Sequence, residues 1–148
     1  MILRTATRQD LPAVIALLVD EEGVTDPAEV RVDEAYARAF AEVDADARNE
    51  MLVLDEGDGT VIGYLQLTYI PGLGRGGAER ALIEGVRVRA DRRGAGLGHE
   101  LLTEAVARAR SRGCTLVQLT SDKRRTGAHR FYASLGFERS HDGFKLAL

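Results

Sequence analysis

A strand-like segment that runs straight into a glycine-rich turn and a helical segment constrains the fold most. The alternating apolar residues of Arg80–Arg89 predict a strand. Glycines at positions 94, 96 and 98 follow a pair of arginines, and apolar residues then recur at helical spacing until Gly113. A strand joined this closely to a helix predicts a sheet covered by helices.

The glycine-rich turn has the composition of an anion site. Glycines let successive N–H groups point into one concavity, and the helix N-terminus adds a partial positive charge. Arg92 and Arg93 place cations at its rim, so the turn predicts a pyrophosphate site, with a plain strand-to-helix turn as the alternative. Gly98 precedes His99 and Glu100 instead of the Lys-Ser/Thr pair of a P-loop. The even spacing of the glycines also departs from the dinucleotide-binding pattern.

The remaining periodicities predict a single domain over residues 1–148, with the element order β-α-α-β-β-β-α-β-α-β-β. This order implies a mixed α/β fold with a mostly antiparallel sheet of six to seven strands and about four helices on both faces. The other predicted strands are Ile2–Ala6, Met51–Glu56, Thr60–Ile70, Thr115–Thr120 and a hairpin in Phe137–Leu148. The other predicted helices are 8–20, Val32–Val43 and 126–135, and Pro71–Gly77 is predicted to be a loop.

Composition limits the function classes. The 148 residues carry a net charge of −3, one cysteine and three histidines. An acidic chain gives no support to nucleic-acid binding, and so few thiols and imidazoles predict neither a disulfide framework nor a Cys/His metal site. A divalent metal held by carboxylates stays open. No apolar run reaches the ~18 residues of a membrane span, so no membrane association is expected and the cytoplasm is the default compartment.

The strand before the turn carries a candidate base. Strand alternation places Leu82, Glu84, Val86 and Val88 on one face, and Ile83, Gly85, Arg87 and Arg89 on the other. If helices cover the first face, burial would raise the pKa of the Glu84 carboxyl and make it a proton acceptor near neutral pH. The alternative is a solvated carboxylate, or one paired with an arginine. Gly85, within the strand, indicates a bulge or the close approach of a ligand backbone.

Two motifs together resemble the GNAT superfamily of N-acetyltransferases. Arg93-x-x-Gly96-x-Gly98 matches that family's Gln/Arg-x-x-Gly-x-Gly/Ala signature between a strand and a helix. The stretch from Ala128 to Phe137 resembles its aromatic-rich helix, which ends in Leu-Gly-Phe. With the N-terminal strand and helix, the resemblance covers essentially the whole chain.

The resemblance implies an acetyl-CoA site. The backbone of Val86, Arg87 and Val88 would pair with the pantetheine arm where Glu84–Val88 and Leu116–Thr120 splay apart. The backbone N–H groups that would bind the pyrophosphate belong to Arg93, Gly94, Ala95, Gly96, Leu97, Gly98 and His99. Many members carry an asparagine at the position of Arg125, so this contact becomes a cationic one here or is lost.

A direct acetyl transfer needs a neutral amine, a donor to the carbonyl oxygen and a proton for the leaving thiolate. We assign Glu84 as the base, directly or through a water. A backbone N–H at Val86 or Arg87 is the candidate oxyanion donor. Tyr132 is the acid that the resemblance implies, with a core aromatic as its alternative role. Cys114 needs no catalytic role and is expected to be a small buried residue.

The acceptor is the least constrained part of the prediction. The C-terminal part, with Lys123-Arg124-Arg125, Ala128–Tyr132 and Ser140-His141, also resembles aminoalkylphosphonate N-acetyltransferases. This resemblance implies a small acceptor that carries an amine and can carry an anionic group. Two alternatives stay open: a peptide or protein acetyltransferase of the toxin or ribosomal-protein modifier type, and a non-catalytic acyl-CoA-binding domain. The C-terminal strands could also pair across a homodimer.

Overall fold

The computed structural model describes residues 1–20 and 24–148, which form two compact units, Met1–Gln118 and Leu119–Leu148. The strands are β1 (Ile2–Thr5), β2 (Asn49–Asp55), β3 (Val61–Ile70), β4 (Arg80–Val88) and β5 (Leu116–Leu119). The helices are α1 (Leu11–Val19), α2 (Glu34–Ala45), the single turn α3 (Gly74–Gly77), α4 (Leu97–Arg112) and α5 (Thr126–Ser134).

The strands form one sheet in the order β1-β2-β3-β4-β5, and the pairings from β1 to β4 are antiparallel. The hairpin between β2 and β3 is stabilised by Asp55, whose Oδ1 accepts the N–H groups of Gly57 at 2.7 Å and Gly59 at 3.0 Å. Both glycines have positive φ angles, 109° and 93°. The Gly57-Asp58-Gly59 sequence therefore ends one strand and returns the next beside it, as predicted.

Helices cover both faces of the first unit's sheet. On one face Val53 and Tyr64 belong to a buried apolar cluster with Val14 and Leu17 of α1, against which Phe40 of α2 packs. On the other face α4 lies so close to β3 that a Cβ added at Gly63 would be 3.0 Å from Leu101 Cδ1. The mixed α/β class predicted from the sequence is confirmed, with the core between the sheet and these two helix layers.

The helix boundaries follow local capping chemistry. The predicted helix 8–20 is a short 3₁₀ turn at Arg8–Asp10 followed by α1, and the Thr7 N–H and hydroxyl both donate to the Asp10 carboxylate. The predicted helix Val32–Val43 begins two residues later, because the Asp33 carboxylate accepts the Tyr36 N–H at 2.9 Å and caps α2. The predicted loop Pro71–Gly77 contains one turn, in which Arg75 and Gly76 are left-handed.

An ion cluster ties the N-terminal strand to the body of the first unit. The Arg4 guanidinium on β1 bonds Asp10 with two N–O distances of 2.8 Å and reaches Asp55 of β2 at 2.8 and 3.0 Å. Both carboxylate side chains are 7% exposed. Buried charges of opposite sign that also share hydrogen bonds compensate one another's desolvation, so this cluster fixes β1 and the start of α1 on the sheet.

The second unit contains α5 and the C-terminal segment, and it corrects the predicted strand count. Residues 137–148 form no strand, so the sheet has five strands instead of six to seven. The alternation that predicted the hairpin comes from Phe144, Leu146 and Leu148, which are 96%, 87% and 117% exposed. A period of two specifies a strand only where a neighbouring strand and a covered face stabilise it, and this segment has neither among the described residues.

Within the described part of the chain, none of the helices combines the length and the apolar character needed to cross a bilayer.

Candidate active site

A bulge in β4 organises the candidate site. Gln66 of β3 pairs with Glu84, whereas Tyr64 pairs with Arg87, so β4 has one more residue than β3 between these pairs. Gly85 sits in the bulge with φ +63°. A Cβ there would lie 3.1 Å from Tyr64 Cε1 and 3.2 Å from Leu18 Cδ2. Both the backbone angle and the close packing therefore require glycine, and the bulge predicted at Gly85 is confirmed.

The bulge changes the phase of the strand and corrects the predicted faces. Because residues paired across an antiparallel sheet point to the same side, Leu82, Glu84 and Arg87 share the face of Tyr64 that α1 covers. Val88 pairs with Gly63 and therefore points to the opposite face of the sheet. The prediction that Arg87 lies on the face opposite Glu84, and Val88 on the same face as Glu84, is thus wrong. One extra residue inverts the alternation beyond it.

The Glu84 carboxylate is exposed, so the expectation of a buried carboxylate is also wrong. The covering helices stop short of it, and Leu18 of α1 packs over Gly85 instead. Tyr64, beside the bulge, is only 4% exposed. Burial, reinforced by the negative charge of Glu84, raises the pKa of Tyr64 to about 12. Glu84 therefore combines access from solvent with a protonated phenol close by.

The glycine-rich turn has the geometry of an anion site. Gly94 and Gly96 have φ angles of 81° each, and an added Cβ would meet no atom within 4 Å at either position. The positive φ angle therefore requires glycine at both positions, whereas the surroundings would have room for a larger side chain. Gly96 precedes the 16-residue helix α4 without a side-chain cap. The first N–H groups of α4 consequently have no capping side chain and face the turn with the positive end of the helix dipole.

The arginines around the turn are engaged in ion pairs or in hydrogen bonds to the backbone. Arg92 Nε donates to Glu56 Oε1 at 2.7 Å, and its Nη1 donates to Asp91 at 2.8 Å. Arg89 Nε bonds Asp91 at 2.7 Å, and Arg93 Nε donates to the Val88 carbonyl at 3.1 Å. These bonds hold the loop between β4 and α4 against the β2–β3 hairpin and so position the glycine-rich turn.

Arg87 differs from these arginines. Its Nη1 donates to the Val86 carbonyl at 3.0 Å, but its Nε is buried and has no hydrogen-bond partner among the described residues. Ser121 Oγ, in the second unit, is buried in the same way. The sequence analysis assigned Arg87 a role through its backbone only. Regular strand alternation predicts that its side chain lies on the face opposite Glu84. The missing signal was the change of phase that the bulge at Gly85 causes.

The last part of β4 is less enclosed than the centre of the sheet. Its residues Val86, Arg87 and Val88 are half-buried, as is all of β5, whereas the middle residues of β2 and β3 are mostly buried. At the other end of β4, the Thr115 N–H donates to the Glu79 carbonyl at 3.2 Å. The half of β4 after Glu84 is therefore the less enclosed half. The prediction that a pantetheine arm pairs there stays a prediction.

In the second unit, Tyr132 lies on α5 between two aromatic rings. The centroid of its half-buried ring is 5.3 Å from that of Phe131 and 6.1 Å from that of Phe137. These contacts fix the ring in an apolar setting on one side of α5. Arg125 precedes the first residue of α5 and is exposed, and its N–H donates to the Asp122 carbonyl.

Two further features lie outside the site. Burial raises the pKa of the Cys114 thiol, assisted by the charge of Glu79, which keeps it in the unreactive protonated form. A concavity of about 550 Å³ beside α4 is lined by Tyr69, Glu50 and Arg108 among others. The Glu50 carboxylate accepts hydrogen bonds from both of the other side chains, so its oxygens are already engaged within the protein, and we assign this concavity a structural role.

The family assignment rests on a match over most of the chain. The model of the Acetyltransferase (GNAT) family matches residues 12–137, which include the bulged strand, the glycine-rich turn and α5. This chain belongs to the GNAT family. The sequence resemblance is thereby confirmed, and the protein is an acetyltransferase.

Relatives of this acetyltransferase act on small molecules. The L-methionine sulfoximine/L-methionine sulfone acetyltransferase of Pseudomonas aeruginosa is 32% identical over 142 residues, or 93% of this chain and 80% of the relative. The aminoalkylphosphonate N-acetyltransferase of Salmonella typhimurium is 41% identical over 56 residues, covering 38% of this chain and 36% of the relative.

Solved structures share the fold. A transcriptional regulator from Bacillus halodurans superposes with a TM-score of 0.89 at 41% identity, covering 99% of both chains. A putative acetyltransferase from Agrobacterium tumefaciens gives 0.86 at 30% identity over 100% of both. A predicted acetyltransferase from Clostridium acetobutylicum, solved with acetyl-CoA, gives 0.76 at 18% identity, covering 99% of this chain and 95% of that one.

Proposed function

We propose that this acetyltransferase moves the acetyl group of acetyl-CoA directly to the primary amine of a small molecule. The observation that carries the proposal is the uncapped N-terminus of α4 behind the left-handed Gly94 and Gly96. A phosphate chain fits this turn because its donors are backbone N–H groups at the positive end of a 16-residue helix. Relatives that acetylate small amine-bearing molecules support the choice of acceptor.

The residues of the turn and of β4 would hold the donor. The N–H groups of residues 93–99 would bind the pyrophosphate, and the backbone of residues 86–88 would pair with the pantetheine arm. Acetyl-CoA supplies the acetyl group as a thioester. Arg92, held by Glu56 and Asp91, keeps the loop before the turn in place and so preorganises the N–H groups for their anion.

Glu84 is the proposed base. An alkylamine has a pKa of about 10, so it is mostly protonated near neutral pH and cannot attack until it loses a proton. An exposed carboxylate on the rim of the bulge can accept that proton, directly or through a water. The nitrogen then bonds the acetyl carbon as the carbon–sulfur bond breaks. A backbone N–H at Val86 or Arg87 would donate to the carbonyl oxygen as negative charge develops there.

Tyr132 is the proposed acid. The thiolate that leaves needs a proton, and a phenol held between two aromatic rings offers one from a fixed position. Arg125 is the proposed cationic contact to the cofactor arm at the position where many family members carry asparagine. The nitrogen loses its second proton as the amide forms, and this proton would reprotonate Tyr132. Glu84 would release the first proton to solvent, so that the protein returns to its starting state.

A thiol-release assay tests the proposal. The purified protein is incubated with acetyl-CoA and a panel of small amines, amino acids, aminophosphonates and lysine-containing peptides, and free thiol is followed with acetylated product confirmed by mass spectrometry. We expect product with at least one small amine. Product only with peptides would transfer the assignment to a peptide acetyltransferase. Tight acetyl-CoA binding without any product would identify an acyl-CoA-binding domain.

A further inference from the structure

The Arg87 side chain offers a buried hydrogen-bond donor that the protein itself does not use. Its Nε has no partner among the described residues, and no carboxylate of that part of the chain forms an ion pair with its guanidinium. An unpaired buried donor of a charged group is expensive, and such groups in native structures usually have a ligand, water or functional reason. The neighbouring Arg89 and Arg92 are, by contrast, both paired with carboxylates.

The position of Arg87 relative to Glu84 is equally informative. The two side chains share the face of Tyr64, on opposite sides of the bulge at Gly85. Neighbouring same-face positions of a strand are about 7 Å apart. This spacing leaves room for a small molecule whose amine and anion are two or three bonds apart, with one hydrogen bond to the protein at each end. Glu84 suits the amine, and Arg87 suits the anion.

We infer that the Arg87 guanidinium binds an anionic group of the acceptor. The acetyltransferase would then select small amines that carry a carboxylate or phosphonate close to the amine. This inference rests on the proposed function and assigns the substrate class of the same site. The guanidinium supplies charge-assisted hydrogen bonds, which are stronger than neutral ones. The backbone of Arg87 remains available to the donor, because its side chain and its main chain point in different directions from the strand.

The test compares paired acceptors that differ in the anion alone. L-Methionine sulfone is compared with its methyl ester, and 2-aminoethylphosphonate with its diethyl ester, which separates a carboxylate from a phosphonate. For each pair the ratio of kcat/KM, anionic over neutral, is measured in the wild type, Arg87→Gln, Arg87→Lys and Arg110→Gln. Arg110 is an exposed arginine of α4, and its substitution controls for the loss of one surface charge.

We expect the wild type to prefer the anionic member of at least one pair. Arg87→Gln should lower that ratio about 10- to 100-fold, the loss expected for one hydrogen bond to a charged group. Arg87→Lys should restore part of it, and Arg110→Gln should leave it unchanged. A ratio that is equal in wild type and Arg87→Gln overturns the inference, as does a rise in the KM for acetyl-CoA with no change in the ratio.

Binding separates this inference from the proposed function. Calorimetric titration of L-methionine sulfone and 2-aminoethylphosphonate into the CoA-saturated protein requires no turnover. Binding by the wild type that weakens at least tenfold in Arg87→Gln supports the anion site even if no product forms, and in that case only the proposed function fails. If the wild type binds neither compound, the inference about Arg87 is overturned. The proposed function would still stand in that case if the protein acetylates neutral amines.

Discussion

Glu84 and Tyr132 are single side chains whose surroundings suit different proton transfers. Glu84 is exposed at the edge of the bulge, where it can exchange protons with water or an arriving amine. Tyr132 is half-buried, and its ring contacts those of Phe131 and Phe137. An exposed carboxylate suits the proposed role of a base, and a half-buried phenol suits the proposed role of an acid.

Replacing Glu84 with glutamine tests the base. Glu84→Gln should lower kcat/KM about 100-fold at neutral pH, in the range of a lost general base. The loss should shrink as pH approaches 10, because the amine is then already neutral. The measurement is the pH–rate profile of both proteins from about pH 6 to 10, with Glu138→Gln, an exposed glutamate, as control. A parallel loss at every pH would contradict the assignment.

Replacing Tyr132 with phenylalanine tests the acid. Tyr132→Phe keeps the ring contacts and removes only the hydroxyl, so kcat should fall tenfold or more, a conservative share of what an acid contributes. Acetyl-CoA affinity, measured by fluorescence titration, should change less than about twofold because the ring contacts remain. The matched variant Phe131→Leu should lower thermal stability more than kcat. Unchanged turnover in Tyr132→Phe would remove the hydroxyl from the mechanism.

At the scale of elements, the bulge in β4 and the turn before α4 are the two features that shape the candidate site. The bulge brings Glu84 and Arg87 to one face, and the turn leaves the first N–H groups of α4 without a capping side chain. Each feature needs glycine, but for different reasons. At Gly85 the backbone angle and a crowded neighbourhood both require it, whereas at Gly94 and Gly96 the angle alone does.

Substitution by alanine separates these two reasons. Gly85→Ala adds a Cβ within 3.2 Å of Tyr64 and Leu18, so it should destabilise by about 2–4 kcal/mol from backbone strain and overpacking together. Gly59→Ala, at φ +93° with no atom within 4 Å, should cost only the strain, about 1–2 kcal/mol. Urea unfolding measures both. If both variants lose the same free energy of unfolding, Tyr64 and Leu18 can move to accommodate a Cβ at Gly85, and packing does not require glycine there.

At the scale of the molecule, the Arg4–Asp10–Asp55 cluster joins β1, the start of α1 and the β2–β3 hairpin. The Arg4 hydrogen bonds, with those from Thr7, lower the pKa of Asp10. The N–H of Gly57 and the Arg4 hydrogen bonds lower the pKa of Asp55. Carboxylates with a lowered pKa in the folded state stabilise it above the pKa of the unfolded chain, and this stabilisation disappears as pH falls through the folded value.

Acid titration of stability tests this cluster. Asp10→Asn should cost about 1–3 kcal/mol near pH 7, the range for lost hydrogen bonds to a charged group. The difference from wild type should narrow below about pH 4, where the unfolded carboxyls protonate. The free energy of unfolding is measured by urea denaturation from about pH 2 to 7. Asp142→Asn, in the exposed C-terminal segment, should match wild type throughout. A pH-independent deficit in Asp10→Asn would contradict the linkage.

Local chemistry explains why much of the fold was predictable. The Gly57-Asp58-Gly59 hairpin, the capping of the 3₁₀ turn before α1 by Thr7 and Asp10, and the glycine turn each depend on residues within a few positions of one another. The predicted C-terminal hairpin failed because a strand depends on a distant partner. For the same reason, periodicity could not tell that the Glu84 carboxylate would be left exposed.

The sequence by itself determined the family, the order of the main elements up to α5 and the position of the glycine-rich turn, because these follow from short-range spacing of glycine, apolar and capping residues. Tertiary structure alone decided which side chains meet at the bulge. The register between β3 and β4 turned Arg87 to the face of Glu84 and left its Nε without a partner. Register is set by packing across the whole sheet, and one inserted residue reverses every face beyond it.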